Sequence, residues 1–450
     1  GYLKLAAQGR YDEALALIKR ENPLPAICGR VCNRRCEDAC TRGRVDEAVA
    51  IDEVKKFLAQ RDLDAATRYV PPVVTPTRAG GFDQKIAIIG AGPAGLSCAF
   101  YLAEKGYKPV VFEKNERPGG MLTYGIPSFK LQKDVIEAEV EVIRLMGAEF
   151  RYGVEVGCDV TLDELREQGF KAFYVAIGCQ GGRLAGIPGE DAEDVTVAVD
   201  FLREVNSGKI DILSGRTIVV GGGNVAIDVA RNACRLGSEH VEMFCLESEA
   251  QMPASEEERR EAVEDGAHIS CGWGPKEVHL DESGRVCGIT FKRSTRVFYD
   301  EGRFAPEYDE NDLRRVDADR VVMSIGQSIV WGDLLAGSKV ELGRGQGALA
   351  DPQTYQTAEP DIFVGGDVYT GPSFAIDAIA AGHEAAVSIH RFVQPGSTLT
   401  IGRNQRRYTA LDRDDVVLEG YDNASREVAH VDREREKAAP FSQYVVTFTE

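Results

Sequence analysis

Four cysteines recur every four residues near the amino end of the chain, at Cys28, Cys32, Cys36 and Cys40. Their segment is rich in glycine, arginine and asparagine, and it follows the helix-breaking Asn22-Pro-Leu-Pro25. In a reducing compartment, closely spaced thiols are typical of a metal or cluster site rather than a disulfide framework. We therefore expect all four to be ligands of an iron–sulfur cluster, which we favour over zinc.

The spacing limits how the four cysteines could share one cluster. On one straight helix their sulfurs would spread over about 18 Å, at about 1.5 Å per residue, which a single cubane cannot bridge. Either the chain bends within the segment, or the four do not all hold one cluster. The other cysteines stand singly among apolar or small residues, and we interpret these as buried free thiols: Cys98, Cys158, Cys179, Cys234, Cys245, Cys271 and Cys287.

A different chemistry is indicated where an apolar run from Lys85 leads into Gly90-x-Gly92-x-x-Gly95 and a helical pattern. This sequence predicts a strand, a tight turn and a helix. Gly90 permits the turn, Gly92 lets the backbone approach a pyrophosphate, and Gly95 lets the helix pack against the strand. Glu113 ends a second apolar strand 23 positions after Gly90, where a carboxylate would meet ribose hydroxyls. The candidate contacts of this first dinucleotide also include Pro93, Ala94 and Lys114.

The same device recurs as Gly221-x-Gly223-x-x-Ala226, after the strand that begins at Thr217. Two such units predict two dinucleotides, and Asn224 and Val225 are further candidate contacts of the second. Glu247 lies 26 residues after Gly221. A carboxylate there would bind ribose hydroxyls and repel a 2′-phosphate, which predicts NADH rather than NADPH. Arg259 and Arg260 are the residues that could fold back onto a phosphate instead.

Several other segments are expected to reach the first dinucleotide. A glycine-rich loop runs from Arg117 to Pro127, and the strand Phe173–Gly178 ends on small residues. The strand Arg320–Gly326 resembles it, so we expect the chain to re-enter the first domain there. After Asp361, a strand leads to Gly366 and to Asp367, which is well placed to bond a ribityl or ribose hydroxyl. The candidate contacts from these segments are Gly120, Met121, Ile126, Gly178, Gly326, Gly366, Asp367 and Ala375.

These motifs predict an α/β fold with two Rossmann-like dinucleotide-binding domains, the second inserted into the first. Apolar residues at helical spacing in residues 1–20 and a helical pattern from Val45 to Gln60 predict that a helical iron–sulfur domain precedes them. An extended cofactor needs a second contact region, and the chain supplies one at Asp367, after the inserted domain. We therefore expect FAD in the first site. The expected boundaries are a helical domain at 1–70, a linker at 71–84, an FAD domain at 85–205 and 322–393, an NAD(H) domain at 206–321 and a polar tail at 394–450.

Charge and composition exclude several classes of partner. The chain has 450 residues and a formal net charge of −19, which argues against nucleic acid or an anionic membrane surface. Its apolar runs are far shorter than the ~18 residues of a spanning helix, and no export signal opens it. We expect a cytoplasmic protein, and one that forms part of a longer chain or of a hetero-oligomeric complex.

Together, the motifs resemble the glutamate synthase small subunit and its relatives, including the large subunit of NADH-dependent ferredoxin:NADP oxidoreductases. The matching segments include Cys28-Gly-Arg-Val-Cys32, both glycine loops, Pro118–Pro127, Met252-Pro253 and Gly365-Gly-Asp367. The resemblance implies that Gly90, Gly92, Gly95, Glu113, Gly120 and Asp367 contact FAD. It also implies that Gly221, Gly223, Asn224 and Ala226 hold the nicotinamide dinucleotide.

The chain departs from this family in three places. The cysteines of the family's first cluster would lie before Gly1, so we expect missing ligands on a preceding segment. Relatives often complete a cluster with a carboxylate or amide where this chain has Lys55, so Cys28, Glu53 or another group would have to serve. Leu246-Glu247 replaces the paired arginines of NADP-using relatives.

The resulting hypothesis is an enzyme that takes a hydride from NADH onto FAD and passes electrons singly through a [4Fe–4S] cluster to a partner subunit or ferredoxin. An electron-bifurcating complex is one setting for it. Such chemistry belongs to the cofactors, so no catalytic acid, base or nucleophile is expected. Two alternatives stay open: a glutamate synthase small subunit that supplies a large subunit, and a non-catalytic flavin-binding assembly subunit.

Overall fold

The computed structural model describes residues 1–73, 81–299, 304–403, 412, 415 and 419–449. Half of the expected linker, residues 74–80, lies outside this description, as do most of the tail residues between 404 and 418. The chain divides into two compact units. The first comprises residues 1–123, 128–179 and 329–450, and the second comprises 124–127 and 180–328.

The helices of the described residues are α1 Tyr2–Ala6, α2 Tyr11–Lys19, α3 Pro25–Val31, α4 Arg35–Asp38, α5 Ile51–Asp64, α6 Pro93–Glu104, α7 Met121–Tyr124, α8 Lys133–Leu145, α9 Leu162–Glu167, α10 Ala198–Asn206, α11 Asn224–Arg235, α12 Glu256–Glu264, α13 Asp367–Thr370, α14 Ala375–Val393 and α15 Arg433–Ala438. Within these ranges no helix is long and apolar enough to cross a membrane.

The strands of the described residues are β1 Lys85–Ile89, β2 Val110–Glu113, β3 Glu149–Tyr152, β4 Phe170–Val175, β5 Gly181–Gly182, β6 Val195–Val197, β7 Arg216–Val220, β8 His240–Cys245, β9 His268–Cys271, β10 Trp273–Leu280, β11 Val286–Phe298, β12 Phe304–Val316, β13 Arg320–Met323, β14 Gln327–Ser328 and β15 Ile362–Val364.

A five-stranded parallel sheet organises the first unit, in the order β15-β4-β1-β2-β3. The central strand β1 is apolar and buried from Ile86 to Ile89, as expected for a parallel strand covered on both faces. Helices α6 and α14 pack so closely that a Cβ on Gly382 of α14 would overlap the carbonyl oxygen of Ala94 of α6. The carboxyl ends of these strands form the edge at which ligands bind in such folds.

The helices before β1 form a small cluster of their own within the first unit. Ala14 and Ile18 of α2 pack with Leu58 of α5. The Lys19 ammonium and the Glu139 carboxylate of α8 are both almost fully buried and lie 3.4 Å apart, while the Ala26 N–H donates to Glu139 over 3.0 Å. These bonds fix the cysteine-bearing α3 to the sheet-containing part of the unit.

The second unit also contains a five-stranded parallel sheet, in the order β6-β13-β7-β8-β9. An antiparallel sheet, β10-β11-β12, is formed by the part of the sequence between β9 and β13 of this parallel sheet. A core of apolar side chains including Ile218, Phe244, Ile289 and Phe291 supports this unit. The two parallel sheets confirm the expected fold class, with one Rossmann-like unit interrupting the other.

One expectation about connectivity is corrected. Strand β13 does not return to the first unit, because it lies between β6 and β7 in the second sheet, where Val321 pairs with both Val195 and Ile218. Apart from the short segment 124–127, the chain leaves the first unit after Cys179 and re-enters it at Ile329. The expected boundaries at 205/206 and 321/322 therefore differ from those of the compact units.

Candidate functional site

The first glycine loop connects β1 to α6 and has the predicted geometry. Gly90 has a φ of +103°, and a Cβ there would lie 2.5 Å from the carbonyl oxygen of Ala176. A Cβ on Gly95 would overlap the carbonyl oxygen of Gly90, so this position excludes any side chain. At Gly92, by contrast, a Cβ would meet no atom of the described residues within 4 Å. The open space lies before the first turn of α6, where a pyrophosphate fits.

Glu113 ends β2 beside this loop. Its carboxylate accepts the Ala91 N–H over 2.8 Å and the Asn115 N–H over 2.9 Å, and the side chain is buried. The Asn115 side-chain amide also donates to Glu113 Oε1 over 2.6 Å. A carboxylate has about four acceptor positions, so it keeps one for a ribose hydroxyl. The neighbouring Lys114 ammonium lies 3.7 Å from the Glu155 carboxylate in a partly exposed ion pair.

A second glycine turn covers the first loop. The Gly119 N–H donates to the carbonyl oxygen of Ala91 over 2.8 Å, and Gly120, with a φ of +54°, approaches so closely that a Cβ on it would lie 3.2 Å from Gly92 Cα. Met121 follows as the first residue of α7. Ile126, expected at the same cofactor, belongs to the second unit.

After the chain has re-entered the first unit, Asp367 lies near the carboxyl end of β4. A Cβ on Gly178 would lie 3.9 Å from Asp367 Oδ2, and one on Gly366 would lie 3.1 Å from Ala94 Cβ. Asp367 Oδ1 accepts the Ser373 N–H over 3.2 Å, and burial raises the pKa of this carboxyl. Ala375 begins α14 just beyond. The first loop, Glu113, Gly120 and Asp367 thus border one edge of one sheet, and they fit an extended dinucleotide such as FAD.

The second glycine loop connects β7 to α11 in a similar way. Gly221 has a φ of +141°, and a Cβ there would overlap the Ser324 carbonyl oxygen. Gly223 borders open space in the described part of the chain, while Ala226 is fully buried. The Asn224 amide oxygen accepts the Ser255 N–H over 3.2 Å, which fixes this side chain at the start of α11, with Val225 next to it. These features fit a second dinucleotide.

Glu247 lies against this second loop, beyond the end of β8. Its Oε2 would be 3.2 Å from a Cβ on Gly222, and its carbonyl oxygen accepts the Gly272 N–H over 2.9 Å. Arg259 donates to the Glu249 carbonyl oxygen over 2.8 Å, close in sequence to Glu247. Arg260 is two-thirds exposed and lies 3.9 Å from the Glu264 carboxylate. Arg259 is therefore the better placed of the two arginines to approach a phosphate near Glu247.

One further candidate lies just beyond the end of a strand. Gly326 follows β13 with a φ of +129°, and a Cβ there would lie 3.3 Å from Arg183 Cδ. It therefore belongs to the second unit, and we place it beside the second loop rather than the first, because Gly221 approaches the neighbouring Ser324.

The cysteine segment bends, which is the first of the two arrangements that its spacing permits. Helix α3 ends with Cys32 extended, Arg34 adopts a left-handed φ of +54°, and α4 then begins at Arg35. Cys36 is exposed, and Cys32 and Cys40 are partly exposed. These three thiols, on and beside a bend, are candidate ligands of an iron–sulfur cluster.

Cys28 differs from the other three cysteines. It is enclosed within α3, where its Sγ lies 3.8 Å from Asn22 Oδ1, and burial raises the pKa of its thiol to about 12. Lys55 opposes this shift, and it also acts on Cys36, so its ammonium faces the cysteine segment. The Lys55 Nζ is held 2.5 Å from Asp52 Oδ1. Among the described residues, no three His, Cys, Asp or Glu side chains are gathered to hold a single metal ion.

Comparisons with known proteins agree with this geometry. Residues 84–382 match the family model described as pyridine nucleotide-disulphide oxidoreductase. The chain belongs to this family. Residues 1–67 also match a model described as dihydropyrimidine dehydrogenase domain II, 4Fe-4S cluster. The chain is therefore an NAD(P)H-dependent flavin and iron–sulfur oxidoreductase, as the motifs predicted.

Similar curated proteins extend over most of the chain. It is 35% identical to the glutamate synthase [NADPH] small chain of Escherichia coli over 87% of this chain and 86% of that protein. It is 34% identical to the NADP(+)-dependent formate dehydrogenase subunit beta of Moorella thermoacetica, over 100% of this chain but only 65% of that protein. The second relative is thus considerably longer than the region it shares with this chain.

Solved structures show the fold alone at their level of identity. FprA of Mycobacterium tuberculosis, in complex with NADPH, superposes with a TM-score of 0.59 at 19% identity, over 69% of this chain and 84% of that chain. Thioredoxin reductase of Lactococcus lactis gives a TM-score of 0.51 at 20% identity over 69% of this chain and 99% of that chain.

Sequence reasoning missed two positions that shape these sites. Gly119 ties the covering turn to the first loop, and Ser255 holds Asn224. The first had a signal, since it adjoins Gly120 in the same glycine pair. Ser255 had no such signal, because its sequence context predicts only an N-cap of α12. It also has that role, since its side chain accepts the Glu258 N–H.

Proposed function

We propose that this chain oxidises NADH at the second glycine loop, holds FAD at the first, and passes electrons through a [4Fe–4S] cluster to a partner subunit or ferredoxin. The observation that carries the proposal is the paired geometry of Gly92 and Gly223. Each faces open space at the start of a buried helix, and each is followed along its sheet by a carboxylate, Glu113 or Glu247. Two dinucleotide sites in one chain suit a hydride donor and a flavin acceptor.

The cofactors would supply hydride and single-electron chemistry, and the chain's own residues would position them. Glu113, anchored by the Ala91 N–H, would orient the adenosine ribose of FAD. Asp367, anchored by the Ser373 N–H, would accept a ribityl hydroxyl. The thiolates of Cys32, Cys36 and Cys40 would hold iron, with Cys28 as the fourth candidate. Lys55, next to this segment, would offset part of the negative charge of thiolates and iron.

The choice of NADH rests on Glu247. Its carboxylate adjoins Gly222, so a 2′-phosphate there would meet a negative charge at close range. Several relatives carry NADPH or NADP(+) in their names, including the NADPH-Fe(3+) oxidoreductase subunit beta of Geobacter sulfurreducens, which is 32% identical over 88% of this chain. Coenzyme preference is therefore the point at which we expect this chain to differ from them.

A partner is favoured because two of these relatives are named as beta subunits. A cytoplasmic location remains part of the proposal, since clusters and free thiols persist under reducing conditions. Supply of reductant to a glutamate synthase large subunit is the second candidate, supported by the similarity to the Escherichia coli small chain. A purely structural flavin subunit is disfavoured by two intact glycine loops.

The test is an anaerobic titration of the purified protein with NADH and, separately, with NADPH, monitored by visible absorbance. The flavin and iron contents of the same protein are determined as well. We expect NADH to bleach the flavin at about one equivalent per flavin, with NADPH much less effective. A flavin that neither coenzyme bleaches would support the structural role and contradict the proposal. Glutamine-dependent glutamate formation on addition of a large subunit would instead support the second candidate.

A further inference from the structure

Two cysteines that the sequence presents as unrelated buried thiols meet in the second unit. Cys245 ends β8 and Cys271 ends β9, and the two are paired directly across these neighbouring parallel strands. Their Sγ atoms lie 3.7 Å apart. Neighbouring strands are about 4.8 Å apart, within the Cα separation that a disulfide accepts. A small rotation of either side chain would bring the sulfurs to bonding distance.

We propose that Cys245 and Cys271 form a reversible disulfide that controls nucleotide binding at the second glycine loop. Cys271 is partly exposed, so it is the thiol that an oxidant reaches. Cys245 is buried, and its thiol attacks the mixed disulfide that forms first on Cys271. The effect on nucleotide binding rests on the proposed function, but the disulfide itself does not.

The oxidant is a low-molecular-weight disulfide, RSSR. The Cys271 thiolate attacks one sulfur of RSSR, breaks its S–S bond and releases one RS⁻, which leaves a mixed disulfide on Cys271. Cys245 then loses its proton and attacks the Cys271 sulfur, which forms the intramolecular bond and releases the second RS⁻. Two protein thiols are oxidised, one RSSR is reduced to two thiols, and the two protons pass to the released RS⁻ groups.

The pair lies directly against the nucleotide loop. A Cβ on Gly222 would be 2.9 Å from Cys245 Cβ and 3.4 Å from its Sγ. The Cys245 thiol also donates to the Glu247 carbonyl oxygen over 3.7 Å, next to the bond from the Gly272 N–H. A disulfide removes that S–H donor and moves the sulfur relative to Gly222. Both changes act on the residues that would hold the adenosine ribose.

Peptide mapping of the purified full-length holoenzyme tests the disulfide. After anaerobic incubation with glutathione disulfide and alkylation of free thiols, trypsin releases residues 236–259 and 261–276, each with a single cysteine. We expect these two peptides to be linked in the wild type and unlinked in Cys245→Ser and Cys271→Ser. Cys287→Ser, which alters a thiol that donates to the His279 carbonyl oxygen, is the matched control and should leave the link intact. Glutathione retained on Cys271 without a link would overturn the proposal.

NAD⁺ binding, measured by calorimetry before and after oxidation of the thiols, tests the consequence, because the oxidised coenzyme binds at the second loop without reducing the flavin. We expect roughly a fivefold weaker affinity on oxidation, the size of one lost hydrogen bond, with recovery on reduction and no change in Cys271→Ser. Linked peptides with unchanged affinity would overturn control of the site. No NAD⁺ binding by the enzyme with both cysteines reduced would instead contradict the proposed function, and the peptide map would still decide whether the disulfide forms.

Discussion

The first glycine loop and the cysteine segment form their sites in different ways. At the loop the backbone makes the site: Gly95 excludes a side chain, Gly92 leaves space, and Gly120 covers the turn. In the cysteine segment side chains must make it, and among the described residues they are not gathered around one metal ion. A site made by backbone is complete once the chain folds, whereas a site made by thiolates depends on the metal for its final arrangement.

The largest effect is expected at Gly95. Gly95→Ala should abolish flavin binding and destabilise the first unit by about 1–3 kcal/mol, because the new Cβ overlaps the Gly90 carbonyl oxygen. The matched change in the second loop, Ala226→Gly, should keep the flavin and cost about 1 kcal/mol through helix propensity. The ratio of absorbance at the flavin band to that at the protein band, with a thermal melt, measures both. A fully yellow Gly95→Ala protein would show that the loop does not hold the cofactor.

The cysteine segment should lose iron in a graded way. Cys36→Ala should remove most iron and sulfide, because this exposed thiol lies beside the bend. Cys28→Ser should remove less, because the buried thiol already has Asn22 as a partner. Cys158→Ser, at an exposed cysteine elsewhere in the first unit, is the control.

The wild type should contain no more than about four irons per flavin, since one cubane typically takes four protein ligands. Iron and sulfide analysis of protein purified without oxygen gives the count. Stoichiometric zinc without iron would contradict the cluster assignment.

A smaller effect on the flavin site is expected at Asp367. Asp367→Ala should weaken FAD binding roughly tenfold, as expected for a lost hydrogen bond to a charged group. Asp367→Asn should retain more affinity, because the amide oxygen can still accept the Ser373 N–H. Reconstitution of the flavin-free protein with FAD measures this, and NADH affinity should not change. Equal FAD affinity in all three proteins would remove Asp367 from the site.

The last prediction concerns coenzyme choice, which should change without loss of flavin. Glu247→Arg should raise the ratio of kcat/KM for NADPH to that for NADH by about tenfold, because arginine binds a 2′-phosphate that the carboxylate repels. Glu249→Arg adds the same charge nearby and should have little effect, since Glu249 is exposed. If the unmodified protein already prefers NADPH, Glu247 does not set the preference, and Arg259 becomes the residue to change.

Local motifs predicted the loops well, because strand, turn and helix are adjacent in sequence. The sequence did not predict which sheet β13 joins, since Arg320–Gly326 and Phe173–Gly178 look alike and strand pairing is a long-range choice. The helix expected from Val45 begins only at Ile51, after Arg42 and Asp46 have formed a local ion pair.

Long-range pairing also explains the contacts that the sequence concealed. In the polar tail, Val431 and Val445 pair in an isolated bridge across 14 residues of sequence. Likewise, Cys245 and Cys271 meet because their strands are neighbours in the sheet, although 26 residues separate them in the chain.

The central claim is that NADH electrons reach iron by way of the flavin. The most direct measurement is low-temperature electron paramagnetic resonance of the anaerobic protein after one equivalent of NADH, in the wild type and in Gly95→Ala loaded with iron but lacking flavin. The account predicts a reduced cluster signal in the wild type and none in the variant, with dithionite giving the signal in both. Reduction of the cluster by NADH without flavin, or a wild-type flavin that bleaches while the iron stays oxidised, would contradict it.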